Sequence, residues 1–324
     1  MEKRELIIDS DVANQRLDIA LAISFNDLTR SAIKKCIEAN QVKVNGKVEY
    51  KANYKTRKGD RIILQIEEAT GHHKLEPENI PIDIVYEDDD IVAVNKPAGM
   101  VVHPASGNWS GTLMNALVYH YENISNIGKP IRAGLIHRLD KDTSGVILVG
   151  KTNKGLWYYS RMFAKRLVEK EYILCASGKL DNNIRLHGET EIQTYVARNK
   201  TNRKKMRAIS MKYAQISPLP SDARIAKTVF SLRDSKKDVY FLSAYPKTGR
   251  THQIRVHSKY LGTPIIGDEI YGGIGCERML LHAYSLKFKT IQGKEMIISA
   301  KPDKKFIRLA ESYDFKIFKY LNKE

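Results

Sequence analysis

Gly134-Leu135-Ile136-His137-Arg138-Leu139-Asp140-Lys141-Asp142-Thr143-Ser144-Gly145-Val146-Ile147-Leu148-Val149-Gly150-Lys151 is the stretch on which the reading of this chain turns. A polar cluster, His137 to Ser144, is wedged between two apolar runs. The second run, Val146 to Val149, has the β-branched content and length of a fully buried strand. Asp140 therefore falls on a loop braced by a rigid strand, where a lone carboxylate can be desolvated and aimed. Gly145 closes the loop at a position that suits positive φ or a close backbone approach. Asp142 is two residues on, and alternation points it away from Asp140. A single Asp in a loop is ordinarily a turn former, so the rest of the chain must decide what Asp140 does.

At 324 residues the chain suggests two domains, on a usual size of roughly 100–200 residues each. No apolar run approaches the ~20 residues that span a bilayer. The first residues, Met1 to Asp9, are too charged for a secretory leader, so a cytoplasmic protein is expected. Cys36, Cys175 and Cys276 lie far apart without metal-ligand spacing and read as reduced thiols. The net charge of +17 exceeds what solubility requires and calls for a polyanionic partner. Residues 1–68 hold 13 Lys/Arg against 11 Asp/Glu, so +15 of the excess lies in residues 69–324, with Asp140. No basic amphipathic helix with a Trp/Phe/Leu face stands out, which favours nucleic acid over a membrane surface.

Along the chain, Arg16 to Ala22 reads as a short helix with Leu17, Ala20 and Leu21 on one face. Thr29 is a candidate N-cap for a second helix striped by Ala32, Ile33, Cys36 and Ile37. Val42 and Val44 alternate into the tight-turn pair Asn45-Gly46, and Gly59-Asp60 precedes a strand from Arg61 to Ile66. Residues 69–80 are polar and aperiodic and read as a linker; His72-His73 within it has no third ligand nearby. Ile91 to Asn95 reads as a buried strand running into the Lys96-Pro97-Ala98-Gly99 turn. Thr112 to Tyr119 and Gly155 to Arg166 suit helices. Ile173, Val196, Val229, Val239 and Ile254 to Val256 suit strands. The expected architecture is α+β, with a small domain over 1–68 and a second over 81–324 whose sheet is mixed, mainly antiparallel and flanked by helices.

The motifs resemble those of the RluA family of pseudouridine synthases. The string His137-Arg138-Leu139-Asp140-x-x-Thr143-Ser144-Gly145 carries the likeness first. Asn95 to Pro104, with Gly111-Thr112 and Asn115-Ala116-Leu117, is similar to the family's first motif. Phe163, Arg166, Val168, Lys170 and Tyr172 repeat its F-x-x-R-x-V-x-K-x-Y pattern. Thr248 to His257, Gly267-Asp268, Tyr271-Gly272 and Arg278-x-x-Leu281-His282-Ala283 follow in order. The N-terminal landmarks resemble an S4 RNA-binding (αL-motif) domain. The run from His103 to Leu117 most resembles the RluD-like branch, which modifies large-subunit ribosomal RNA. Ile192 to Val196 lacks a proline common in the family, and Ile209 to Ala223 matches no family pattern.

The resemblance implies a role for each matching residue. Asp140 is the nucleophile, Arg255 its fixed cation in preference to Arg250, and Tyr172 the stacking partner of the uracil. A carboxylate in a dry pocket stays ionised only with such a cation. Arg138 would meet RNA beside the extruded nucleotide, since a stacked base cannot enter a pocket. Further RNA or uracil contacts are implied at Asn95, Lys96, His103, Thr143, Lys170, Arg250, His252 and Gln253. In the S4 domain they fall on Arg30, Ser31, Lys34, Lys35 and Lys47. Arg198 to Arg207 carries six positive charges and no acid, so Arg203, Lys204 and Lys205 are expected to grip phosphates without reading sequence. His137 reads as a hydrogen-bonded scaffold residue.

The activity so implied is isomerisation of uridine to pseudouridine in RNA, with no cofactor and no metal. Large-subunit ribosomal RNA or a pre-ribosomal particle is the implied partner, DNA and membrane are not, and nothing demands more than a monomer. A non-catalytic ribosome-assembly factor on the same scaffold is the chief rival. A base-releasing nucleosidase is the other; its opposed acid and base are not evident in the spacing of Asp140 and Asp142.

Overall fold

A computed structural model describes residues 2–10, 12–25, 28, 30–66, 75–105, 107–121, 124, 127, 133–202 and 204–321. The chain divides into two compact units, Met1–Lys74 and Leu75–Glu324.

The first unit sets helices α1 (Leu17–Ser24) and α2 (Arg30–Glu38) against a sheet of β1 (Glu2–Ile7), β2 (Val42–Val44), β3 (Lys47–Val48) and β4 (Arg61–Ile66), ordered β1-β4-β2-β3. Leu17, Ala20 and Leu21 meet Ile33, Ile37, Val42, Val44, Ile62 and Leu64 in one core. Asn45 and Gly46 both have positive φ, as the two-residue hairpin between β2 and β3 requires. Strand β1 was not foreseen: its charged residues hide an edge strand that pairs antiparallel with β4. The expected cap Thr29 lies outside the described residues, as does His72-His73.

In the second unit the elements follow as β5 (Ile84–Glu87), β6 (Ile91–Lys96), α3 (Leu113–His120), β7 (Ser144–Gly150), α4 (Asn153–Ala164) and β8 (Glu169–Ser177). Next come α5 (Asn182–His187), β9 (Glu189–Arg198), β10 (Met206–Ser210), α6 (Met211–Ile216), β11 (Arg224–Lys236) and β12 (Val239–Pro246). The chain finishes with α7 (Gln253–Tyr260), β13 (Leu281–Lys289), β14 (Glu295–Ser299), α8 (Lys304–Glu311) and α9 (Phe318–Leu321). Strands run β10-β9-β11-β12-β8-β13-β7-β6-β5, with β14 on β13, and among the described residues only β13 and β7 pair in parallel. The expected mixed, mainly antiparallel sheet is what forms. Residues 75–80, expected in the linker, instead strap onto the start of α3. Leu75 is buried, the Asn115 amide donates to the Glu76 carbonyl, and Gly111 N–H donates to the Glu78 carboxylate.

One expectation for the elements fails. Residues 254–256 form no strand but lie in α7. The alternation of Ile254 and Val256 suggested period two, whereas Ile254, His257, Ser258 and Leu261 keep the i, i+3, i+4, i+7 spacing of a helix. The helix face is pinned by His257, whose ring nitrogens bond Thr194 and Thr228 hydroxyls on β9 and β11.

Strand β7 is buried along its whole length, and its first turn is where the sheet is tightest. Gly145 has φ +116°, and a Cβ there would lie 2.2 Å from the Ala283 carbonyl oxygen on β13. Both the conformation and the space demand glycine. Gly145→Ala should therefore destabilise the second unit by about 3 kcal/mol or more, read as a lowered urea midpoint at unchanged m-value.

Candidate active site

Asp140 sits just before β7, on a loop held from three sides. Behind it, His137 Nε2 accepts Leu148 N–H at 2.9 Å, and its ring stacks on Phe163 at 4.3 Å. Burial pushes its pKa down to about 3, so it is a neutral scaffold group. Beneath, the Lys141 carbonyl accepts from Gly99 N–H at 2.9 Å and from Lys96 Nζ at 3.0 Å. Ahead, Thr143 N–H donates to the Asp140 carbonyl, and the Ser144 hydroxyl bridges Arg278 and His282. His282 Nε2 faces the Ala300 carbonyl, which only accepts, so its Nδ1 accepts the Ser144 proton.

The sheet register then brings Tyr172 to the same place. Tyr172 pairs with Ala283, and Ala283 with Gly145, so Tyr172 lies two strands from the end of the Asp140 loop. Burial, and next the Asp140 charge, push its phenol pKa up.

Arg255 enters from the first turn of α7. Its Nη1 stands 3.4 Å from Asp140 Oδ2, and it is 5% exposed against 24% for the Asp140 side chain. The other side of the guanidinium is clamped by Asp268, Nε to Oδ2 at 2.7 Å and Nη2 to Oδ1 at 2.9 Å. Burial opposes the charge, but the Asp268 hydrogen bonds and the charges of Asp268 and Asp140 outweigh it and raise the Arg255 pKa. Tyr271 covers the guanidinium at 5.2 Å. His252 Nε2 lies 3.8 Å from the same Asp140 oxygen. Arg250, the competing cation, spends its Nε on the Ile225 carbonyl.

Asp140, Tyr172, Arg250, His252 and Arg255 line a cavity of about 620 Å³, within the roughly 300–1,000 Å³ of small-ligand pockets. Ile136, Leu139, Phe163, Ile254 and Leu281 supply apolar wall around Asp140 and Tyr172, while Arg138, Arg166, Lys170 and Arg250 also line it. Asp140 is the one carboxylate among the described lining residues. Burial brings the Lys170 pKa down to about 8, with the charges of Arg166 and Lys247 acting in the same direction.

Thr143, Lys170, Arg250, His252, Gln253, Arg138, Tyr172, Arg255 and Asp140 thus converge as expected. Several of the expected contact residues, Gln253 among them, bond within the protein. Asn95 donates to Asp83 and to the Lys301 carbonyl. Lys96 is fully buried, giving its three N–H bonds to the carbonyls of Pro97, Met100 and Lys141. Gln253 reaches the cavity wall but its amide is consumed by Thr248, Arg250, Lys227 and Thr228. His103 does not line the cavity. Asn95, Lys96 and Gln253 are polar residues in motifs whose bonds go to backbone or neighbouring side chains, and only the fold reveals that. Conversely, Asp268, Tyr271 and Arg166 gained no role from the sequence, although all lie in the motifs quoted above.

Away from the cavity, Lys204 and Lys205 occupy the hairpin between β9 and β10, while Arg203 lies outside the described residues. In the first unit Lys34, Lys35 and Lys47 are exposed, and Lys34 pairs with Glu38 at 3.5 Å; the side chains of Arg30 and Ser31 are not described. No described helix is long and apolar enough to cross a membrane.

Residues 90–260 match the RNA pseudouridylate synthase family, and residues 15–62 match the S4 domain. A ribosomal large subunit pseudouridine synthase D from Vibrio parahaemolyticus is 35% identical over 315 residues, 92% of this chain and 90% of that one. An uncharacterized RNA pseudouridine synthase of Aquifex aeolicus is 40% identical over 260 residues, 80% of this chain and 77% of that one. The solved structure of human RNA pseudouridylate synthase domain containing 4 shares the fold, with TM-score 0.55 and 20% identity over 72% of this chain and 93% of that one. Human RNA pseudouridylate synthase domain containing 1 does likewise, with TM-score 0.54 and 24% identity over 74% and 86%.

Removing the Lys96 ammonium leaves the carbonyls of Pro97, Met100 and Lys141 without their shared donor. Lys96→Met should cost about 2–4 kcal/mol in chemical unfolding. Burial also depresses the Lys96 pKa from 10.5 to about 7, so between those values the unfolded chain binds the extra proton. The wild-type margin over the variant should therefore widen as pH rises through that window.

Proposed function

We propose, from the premise that the chain belongs to the RNA pseudouridylate synthase family and carries an S4 domain, that it isomerises uridines of large-subunit ribosomal RNA through Asp140. The membership itself makes the chain an RNA pseudouridine synthase. The single observation behind the assignment of Asp140 is that it is the one described carboxylate in the cavity, with a locked guanidinium 3.4 Å away. The ribosomal substrate rests on relatives named for the large ribosomal subunit.

The chemistry suits this constellation. Isomerisation breaks the N1–C1′ bond, turns the uracil, and joins C5 to C1′; C5 sheds a proton and N1 gains one, so the balance needs no oxidant. Asp140 would attack the nucleoside while Arg255 holds the carboxylate aimed. The apolar wall and the Tyr172 ring would retain the detached base. Arg138, Arg166, Lys170 and Arg250 would take the phosphates flanking an extruded nucleotide. Outside the cavity, the basic hairpin would add sequence-independent grip.

Ribosomal RNA from a strain lacking the protein provides the test, mapped by carbodiimide labelling and primer extension. Wild-type protein should produce a new stop, and Asp140→Asn should lower the rate by at least about 10⁴-fold. No new stop with wild-type, on naked RNA and on isolated large subunits alike, would favour an assembly factor. Separately, Ala at Arg203, Lys204 and Lys205 should flatten the dependence of log affinity on log salt by about 2 units if three single-strand phosphate contacts are lost. An unchanged slope would place those side chains off the RNA.

A further inference from the structure

His252 stands in the left-handed region, φ +55°, ψ +21°, at the entry to α7. A side chain is held there only where its surroundings over-determine it, and such residues gather at functional sites. The His252 ring is held by Tyr271. The Tyr271 hydroxyl accepts Met206 N–H at 2.8 Å and lies 2.9 Å from His252 Nδ1. Burial lifts the Tyr271 pKa to about 12, so the hydroxyl keeps its proton. An N–H can only donate, so that proton must go elsewhere, and Nδ1 is the acceptor that the described hydrogen bonds offer it. With Nδ1 accepting, the neutral imidazole carries its own proton on Nε2. That nitrogen faces Asp140 Oδ2 at 3.8 Å, and Arg255 Nη1 faces the same oxygen at 3.4 Å.

We propose that His252 is a positioning residue for Asp140, a neutral Nε2–H donor whose tautomer is fixed by Tyr271, itself anchored to the backbone of the basic hairpin at Met206. The proposal rests on the reading of Asp140 given above and adds a second donor beside Arg255. It also excludes His252 as a base at Nε2, because that nitrogen already holds a proton. Burial keeps the ring neutral, aided by the charges of Arg255 and Arg138 and opposed by Asp140 and Asp268. Met206 is the first residue of β10, directly after the Lys204-Lys205 tip. The hairpin also packs on this point, since Val196, Met206 and Ala208 share a hydrophobic cluster with Tyr271. Phosphate grip at the tip and the aim of the carboxylate therefore lie on one line, hydrogen-bonded from Met206 N–H through Tyr271 Oη–H to His252, whose Nε2 then faces Asp140 Oδ2 at 3.8 Å.

Two measurements decide it. In ¹⁵N-histidine NMR of the intact wild-type protein, the His252 resonance, identified by its loss in His252→Asn, should be that of an Nε2-protonated, Nδ1-bare ring. A ring protonated at Nδ1 would overturn the proposal whatever the protein's activity. In the isomerisation assay, Tyr271→Phe keeps the ring over Arg255 but removes the hydroxyl. Both hydrogen bonds of the hydroxyl are lost, to Met206 and to His252; loss of the second should lower kcat about tenfold, a larger change than any in KM for RNA. The acidic limb of its pH profile should move to higher pH, since Nδ1 becomes open to protonation. A Tyr271→Phe enzyme with wild-type kcat and pH profile, or one altered in KM alone, would also overturn it. If wild-type protein shows no isomerisation, the reading of Asp140 fails, while the NMR result still stands for or against the tautomer.

Discussion

Everything at the cavity depends on one buried ion pair, Arg255 with Asp268. Taking both groups out of water costs several kcal/mol each, and only excellent geometry offsets that. The geometry here is bidentate, 2.7 and 2.9 Å, with the Asp268 side chain wholly buried. Two of the three guanidinium nitrogens are thereby committed, and the planar fork leaves the third pointing one way, at Asp140. An unpaired Arg255 could swing to bind Asp140 through two nitrogens and hide it from substrate. Asp268 prevents that by holding the better half of the fork. The cluster of Asp140, Arg255 and Asp268 keeps a net charge of −1, set among the cations Arg138, Arg166, Lys170 and Arg250. The cations line the cavity while the acidic centre remains at its wall.

A second constraint is the row Gly145, Ala283, Tyr172, Ala244 across β7, β13, β8 and β12. Small residues flank the tyrosine, leaving room for its ring on that face. A one-residue slip in any of these pairings would send Tyr172 to the opposite face. Hydrogen-bonding registers between strands thus set the spacing of two side chains that are 32 positions apart in sequence. Loops that carry chemistry are precise here because their ends are fixed by central strands buried on both sides.

What could be read from the sequence follows the range of the interaction. Strand β7, the Asp140 loop, the Asn45-Gly46 hairpin and helix α3 are local, and their residue patterns state them directly. Helix α7 was missed because two β-branched residues outweighed a longer helical spacing that tertiary anchors at Thr194 and Thr228 complete. Asp268 could not be assigned a partner from sequence, since a buried carboxylate and a solvated one look alike on the page. Asn95, Lys96 and Gln253 pose the same ambiguity. Each sits in one of the motifs, and the N–H groups of each are donated to neighbouring residues.

That diversion of polar residues to the scaffold has a physical reason. A reaction that detaches a base and must rejoin it by another atom gains nothing from a pocket that relaxes in between. Rigidity at such a site cannot come from apolar packing alone, because apolar contacts have no preferred direction. Hydrogen bonds do, and a buried donor left unmade is expensive, so a saturated polar network admits one arrangement and penalises its neighbours. Lys96 ties three carbonyls of two loops, Gln253 ties β11 to the entry of α7, and Ser144 ties β7 to Arg278 and β13. These bonds ring the Asp140 loop without entering the cavity. Their contribution is to the width of the carboxylate's allowed positions.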